Sequence, residues 1–146
     1  MASRLSGNRL FLDSAYAIAL AAPADEHHQT ARSLANEVLG SRIGIITTRE
    51  VMFEVANALC KPRYRSAAVA TLKAFETDPL IEIVERTAEL YRAAFDLFER
   101  RMDKEWSLTD CLSFVVMHQN GLTEALTSDE HFEQAGFKAL LRQPTD

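Results

Sequence analysis

The sequence has few cysteines, no long hydrophobic run and no apolar segment at its start. Its two cysteines, Cys60 and Cys111, lie in predicted helices without the spacing of a metal site, so we expect small apolar residues in a reducing compartment. No apolar run approaches the roughly 20 residues that cross a bilayer. The opening MASRLSGNRL lacks the hydrophobic part of a secretory signal. We therefore expect a cytoplasmic protein with no membrane segment.

Internal repeats, low-complexity tracts and linkers are also absent, which favours a single domain. The 146 residues suffice for one sizeable core and are too few for two. A hydrophobic fraction of 47% and a charged fraction of 25% are typical of globular proteins. We predict one domain over residues 9–141, with a short N-terminal tail at 1–8 and a C-terminal tail at 142–146.

The net charge of −5 argues weakly against a nucleic-acid partner, because nucleic-acid-binding domains are usually basic. The net charge does not show where on the protein the charged residues lie, however. If four of the acids bound a metal ion, the rest of the chain would be nearly neutral, and it contains the basic run KPRYR at 61–65. The charge balance therefore leaves the partner open.

Short apolar runs alternate with longer segments of helical periodicity. The predicted strands are RLFLD, RIGIITT, LIEIVE, TEALT and FKALL. In the helix predicted at 87–101, the residues expected to face inward are Tyr91, Ala94, Phe95 and Phe98. This alternation predicts an α/β layered sandwich with a mostly parallel sheet. In such sheets, binding sites form beyond the carboxyl ends of the strands.

Four acidic residues lie where predicted strands end and helices begin: Asp13, Glu54, Asp110 and Asp129. Taken alone, each has an equally good structural explanation, since acids cap helices and favour the helix dipole. Ser107 and Asp110, for example, have the spacing of a capping box. Brought together at one edge of the sheet, the four would form an acidic pocket.

The helix predicted after the second strand offers two glutamates, Glu50 and Glu54. Glu50 lies three residues after Thr47 and fits a capping-box role. Glu54 is one turn further along, beyond reach of the cap. Like charges four residues apart are mildly unfavourable in a helix, so Glu54 is the better candidate for binding a cation.

A carboxylate cluster of this kind is suited to a divalent cation. Mg²⁺ and Mn²⁺ prefer oxygen ligands, mostly carboxylates and waters. Without a cation, clustered carboxylates repel one another and raise each other's pKa. With one, they can support hydrolysis of a phosphodiester.

Four segments resemble the successive acidic motifs of PIN domains: LFLDSAYAIAL, VMFEVANALCK, WSLTDCLSFVVM and EALTSDEHFEQAGF. The resemblance covers about residues 9–141, and the last two segments are its most specific part. PIN domains are three-layer α/β/α sandwiches around a parallel sheet, and many are metal-dependent ribonucleases, including the VapC-like toxins. The resemblance implies that the catalytic, metal-binding acids are Asp13, Glu54, Asp110 and Asp129.

The resemblance also implies supporting residues. Ser14 matches the hydroxyl after the first acid, and Thr127 matches the hydroxyl before the last one. Asn57 is a polar residue one turn beyond Glu54. In KPRYR, basic residues with an interleaved tyrosine have the composition that contacts a phosphate backbone, although a solvated loop explains them almost as well. The residues predicted to bind RNA are Lys61, Arg63 and Arg65.

We therefore predict a metal-dependent endoribonuclease that hydrolyses RNA phosphodiester bonds with Mg²⁺ or Mn²⁺ and an activated water. The sequence offers no histidine pair suited to a metal-free route, and we interpret His131 as an exposed helix residue rather than a phosphate contact. By resemblance, the chain is expected to be the toxin of a type II toxin–antitoxin system, to bind a cognate antitoxin and to form a homodimer.

Two other function classes remain open. Phosphoryl transfer through an aspartyl intermediate at Asp13 predicts a second acid two residues later, and that position holds Ala15. A non-catalytic PIN-like module would bind RNA or protein only. Four intact acids argue against a degenerate site without excluding it.

Overall fold

A computed structural model describes Leu5 and residues 9–142. The other residues at the two ends, and with them most of the two predicted tails, lie outside the described part. Five strands form one sheet in the order β3-β2-β1-β4-β5, and every pairing is parallel. The strands are β1 (Arg9–Leu12), β2 (Gly44–Thr48), β3 (Ile81–Val84), β4 (Glu124–Leu126) and β5 (Lys138–Ala139).

Helices cover both faces of this sheet. They are α1 (Ser14–Ala21), α2 (His28–Ser41), α3 (Arg49–Ala58), α4 (Pro62–Thr77), α5 (Ala88–Arg100), α6 (Leu108–Gln119) and α7 (Glu130–Gln134), followed by a 3₁₀ helix at Leu140–Arg142. Helix α1 contacts α2, α3 and α4, whereas α6 contacts α5 and α7. Because connections between parallel strands are right-handed as a rule, the reversal of strand order puts these two groups on opposite faces. The predicted α/β/α sandwich with a parallel sheet is confirmed.

The strand order changes direction between β1 and β4. From β1 the chain moves outward through β2 to β3, then returns to pair β4 with the other side of β1. In parallel α/β sheets the cleft at such a switch point lies beyond the carboxyl ends of the two strands. Asp13 directly follows β1, and Thr127 directly follows β4. The topology therefore brings the first and last acidic motifs together.

An aromatic cluster fixes α6 and α7 beside this edge of the sheet. The ring of Phe114 in α6 meets those of Trp106 and Phe132 edge-on, with centroids 5.0 Å apart in each case. Phe132 of α7 also contacts Phe11 of β1, at 6.1 Å. Phe11, Phe114 and Phe132 are essentially inaccessible to solvent. This packing holds the start of α6 against the start of α7.

The inward face predicted for α5 is wrong in part. Ala94 is buried, as expected, but Tyr91, Phe95 and Phe98 are between 42% and 45% exposed. Helix α5 packs mainly on α6, and Leu90 with Ala94 forms the buried contact stripe. The larger aromatic side chains lie at the margin of that contact, where solvent reaches them.

The helices in the described part of the chain are those of a compact α/β domain. None of them combines the length and the apolar character required to pass through a bilayer.

A buried hydroxyl joins the ends of β2 and β1. The Thr47 side chain is inaccessible to solvent and donates a hydrogen bond of 2.7 Å to the Leu12 carbonyl, one residue before Asp13. We expect Thr47→Val, which keeps the shape but removes the donor, to lower the free energy of unfolding in urea by about 1–2 kcal/mol. Thr77→Val is the matched control, because the Thr77 hydroxyl bonds a carbonyl at an exposed helix end. Equal stability of the two variants would contradict this role.

Candidate metal centre

Asp13 is the most buried acid of the cluster. It follows β1 directly, and the residue is only 6% exposed. Its backbone N–H donates to the Leu126 carbonyl at 3.2 Å, and its Oδ2 accepts a hydrogen bond of 2.7 Å from the Thr127 hydroxyl. The position of this carboxylate is therefore set by β4 as well as by its own strand.

Burial raises the pKa of Asp13 to about 7. Hydrogen bonds from the Thr127 side chain and the Ser14 backbone lower the pKa in part, and the nearby charges of Glu54 and Asp110 raise it further. The fold thus holds a carboxylate where its charged form is disfavoured. A bound cation would relieve this penalty.

Thr127 connects the first acid to the last. Besides donating to Asp13, its Oγ1 accepts the Asp129 backbone N–H at 3.0 Å. Asp129 begins α7 and caps it, since its Oδ1 accepts the His131 N–H at 2.8 Å. Asp129 is therefore both a helix cap and a member of the cluster, two roles that the sequence presented as alternatives.

The two glutamates of α3 have different surroundings. Glu54 accepts a hydrogen bond from the Ser14 side chain, and its pKa is raised by burial and by the charges of Asp110 and Asp129. Glu50 instead forms an ion pair of 2.8 Å with Arg86. The structure places Glu54, rather than Glu50, within the field of the other acids.

The cap predicted for α3 is wrong by one residue. The helix begins after Thr48, whose hydroxyl accepts the Val51 N–H at 3.1 Å. Thr47 is still in β2 and bonds Leu12 instead. Glu50 is therefore not in capping-box register with Thr47, although it remains in the first turn of the helix.

Asp110 opens α6 in the capping box that the sequence predicts. The Ser107 hydroxyl accepts the Asp110 N–H at 2.9 Å, and Asp110 Oδ2 accepts the Ser107 N–H at 3.1 Å. The same Oδ2 lies 3.0 Å from the Nδ1 atom of His131. The capping role therefore positions Asp110 for the cluster and does not exclude it.

His131 is a member of this site that the sequence interpretation missed. Its side chain is 23% exposed, and its Nδ1 also lies 3.4 Å from Asp129 Oδ1. Burial lowers the pKa of His131, but the hydrogen bond to Asp110 and the charges of Asp129, Asp110 and Glu130 outweigh it, so the pKa is raised. Its position two residues after a helix-opening acid was the available signal.

The donor set fits a divalent cation. Four carboxylates converge with few positive charges to balance them, and the pKa values of Asp13 and Glu54 are both raised. Mg²⁺ and Mn²⁺ take such oxygen donors. The atoms of Asp110, Asp129 and His131 that could bind an ion all lie within 4.8 Å of one another.

An open cleft of about 530 Å³ continues from Glu54 along α3. Its lining residues are Arg49, Glu50, Phe53, Glu54, Asn57, Glu85, Arg86 and Thr109. Asn57 thus lies on the cleft wall rather than among the acids. Arg49 and Arg86 are both paired with glutamates, which reduces the positive charge that they present.

The KPRYR segment is the start of a helix rather than a loop. Lys61 occupies the N-cap position of α4 without a side-chain capping hydrogen bond, and Pro62 lies in the first turn. Lys61, Arg63 and Arg65 are exposed. Arg65 donates to the Cys60 carbonyl at 2.9 Å, and the Arg63 guanidinium lies 4.7 Å from the ring centroid of Tyr64. This basic surface begins one turn after Asn57.

The domain that carries this site matches a known protein family. The PIN domain family matches residues 10–138. The chain belongs to the PIN domain family. The predicted relation to the PIN domain family is thereby confirmed.

Curated relatives of this PIN domain include the 23S rRNA-specific endonuclease VapC20 of Mycobacterium tuberculosis, from strains CDC 1551 and H37Rv. Each is 30% identical over 129 residues, covering 88% of this chain and 95% of the relative. A crystal structure of M. tuberculosis VapC20, described as a sarcin-ricin-loop-cleaving toxin, superposes with a TM-score of 0.77 at 28% identity. It covers the same shares of the two chains. The likeness therefore extends over the whole domain.

Proposed function

We propose that this PIN domain is a metal-dependent endoribonuclease, the toxin of a type II toxin–antitoxin system. The observation that carries the proposal is the convergence of its acids at the β1–β4 switch point, where Thr127 hydrogen-bonds buried Asp13. The relation to a 23S rRNA-specific endonuclease supports RNA as the substrate. The reaction is hydrolysis of an RNA phosphodiester bond.

In this proposal the four acids bind the metal ion, and two hydroxyl groups orient them. Mg²⁺ or Mn²⁺, when bound, supplies Lewis acidity that activates water and stabilises the charge developing on the phosphate. Asp13, Glu54, Asp110 and Asp129 would hold the ion. The Ser14 hydroxyl orients Glu54, and the Thr127 hydroxyl orients Asp13 and Asp129 together.

The RNA backbone would approach along α3 toward the start of α4. Asn57 is on the cleft wall beside Glu54. Lys61, Arg63 and Arg65 add positive charge at the N-terminus of α4, where the helix dipole also favours phosphate. These residues bind the RNA without contributing to the bond cleavage.

The proposal also covers the domain boundaries, the cellular compartment and the protein partners. It is a single domain over residues 9–141 in the cytoplasm, kept inactive by a cognate antitoxin that covers the acidic cleft. It forms a homodimer, and the exposed aromatic residues of α5 supply apolar surface for a protein contact.

An RNA-cleavage assay tests this function. The purified chain is incubated with ribosomes, isolated 23S rRNA and transfer RNA, in Mg²⁺, Mn²⁺ or EDTA. We expect discrete cleavage products with either ion, none in EDTA, and recovery when excess Mn²⁺ is added back. Cleavage that persists in EDTA would rule out the metal mechanism. A folded protein that binds RNA or a partner tightly and cuts none of the substrates would establish the non-catalytic alternative.

A further inference from the structure

His131 places an imidazole nitrogen between two of the clustered carboxylates. Its Nδ1 lies 3.0 Å from Asp110 Oδ2 and 3.4 Å from Asp129 Oδ1. The three side chains are 15% to 33% exposed, so they are partly withdrawn from water and still accessible to a dissolved ion.

These separations suit neighbouring ligands of a single ion. In an octahedral site with ligands about 2.1 Å from the metal, adjacent ligand atoms lie about 3.0 Å apart. The distances from His131 to the two carboxylate oxygens are close to this value. All three ligand atoms lie within 4.8 Å of one another, a separation from which side-chain adjustment brings them onto one ion.

The protein also holds the imidazole and its neighbours in place. Phe132, the next residue, is fully buried against Phe11 and Phe114, which anchors α7. Asp110 and Asp129 each accept a backbone N–H. Hydrogen bonds of this kind orient metal-ligating carboxylates. The packing of Phe132 in the core therefore fixes the position of His131.

We propose that His131 is a nitrogen ligand of the divalent ion held by Asp110 and Asp129, which makes this a mixed nitrogen–oxygen metal site. The inference rests on the metal-dependent function proposed above. Mg²⁺ takes oxygen ligands almost exclusively, whereas first-row transition metals also accept imidazole, with affinities that rise from Mn²⁺ to Co²⁺. The nitrogen ligand therefore disfavours Mg²⁺ relative to these metals, slightly against Mn²⁺ and more strongly against Co²⁺.

Pulsed electron paramagnetic resonance on the Mn²⁺-loaded full chain, without RNA, tests the proposal directly. Wild type is expected to show coupling of the manganese to a ¹⁴N nucleus. His131→Gln should lose this coupling, and its Kd for Mn²⁺ should rise about 10-fold or more. Its affinity for Mg²⁺, measured by competition, should change far less. Absence of the coupling in wild type, or its persistence in His131→Gln, would overturn the assignment.

The reciprocal variant leaves His131 as the sole histidine, by changing His27, His28 and His118 to glutamine. It is expected to keep the nitrogen coupling and the wild-type Mn²⁺ affinity, and loss of the coupling would refute the proposal even if His131→Gln fails to fold. RNA cleavage is assayed separately on the same samples. Cleavage by wild type without nitrogen coupling overturns the ligand role and leaves the ribonuclease intact. Nitrogen coupling without cleavage supports the ligand role and contradicts the proposed ribonuclease function.

Discussion

Glu54→Gln is expected to reduce RNA cleavage by at least about 100-fold, since even residues that only support a metal ligand contribute 10- to 100-fold. The substitution keeps the size of the side chain and removes its charge. Glu54 accepts a hydrogen bond from Ser14 and lies in the field of Asp110 and Asp129. Initial rates at saturating Mn²⁺, together with the Kd for Mn²⁺, measure the loss.

Glu50→Gln is the matched control, four residues earlier in the same helix. Glu50 is paired with Arg86, whose side chain is 54% exposed. Exposed ion pairs contribute about 1 kcal/mol or less, so we expect cleavage within about fivefold of wild type. If Glu50→Gln abolishes cleavage and Glu54→Gln does not, the choice between the two glutamates is wrong.

Asp13→Asn is expected to make the metal-free protein more stable and the enzyme inactive. The pKa of Asp13 is raised from its ordinary 3.8 to about 7 by burial, and each pKa unit corresponds to about 1.36 kcal/mol. Asparagine keeps the acceptor for the Thr127 hydroxyl and removes the buried charge. We expect a gain of about 2 kcal/mol in the free energy of unfolding at pH 8, and cleavage reduced at least about 100-fold.

The gain should depend on pH in a defined direction. Because the folded-state pKa exceeds the unfolded one, the wild-type protein loses stability as the pH rises from 3.8 to about 7. Below pH 4 both states bind the proton, and Asp13→Asn should then differ little from wild type. Above pH 7 the full difference should be present.

Urea unfolding in EDTA from pH 4 to pH 8 measures this difference. Asp78→Asn is the control, because Asp78 accepts the Leu80 N–H in a turn, a bond that asparagine can also accept. Added Mn²⁺ should raise the stability of wild type much more than that of Asp13→Asn. If Asp13→Asn is less stable than wild type at pH 8, the buried charge of Asp13 does not destabilise the metal-free protein.

The sequence predicts those features that depend on where individual strands and helices begin and end. Asp13 and Asp129 are recognisable because each follows a short apolar strand, and the motif resemblance then gives the fold. The choice of Glu54 over Glu50 rests on helix spacing alone. Its role as a ligand remains a prediction, although the structure places it with the other acids.

The remaining features depend on contacts between distant segments. His131 meets Asp110, 21 residues away, only because α6 packs against α7. Arg86 reaches Glu50 across 36 residues. Phe95 and Phe98 are exposed because α5 packs on α6 through the face that carries Leu90 and Ala94, and helical periodicity does not specify that choice.

The hydrogen bond from Thr127 to Asp13 joins residues 114 positions apart in a chain of 146. Proteins are synthesised and begin to fold from the N-terminus. Strand β1 therefore emerges from the ribosome long before β4, and the acids cannot converge until β4 has been made and pairs with it. The acidic cluster is therefore among the last features of the protein that can form during its synthesis.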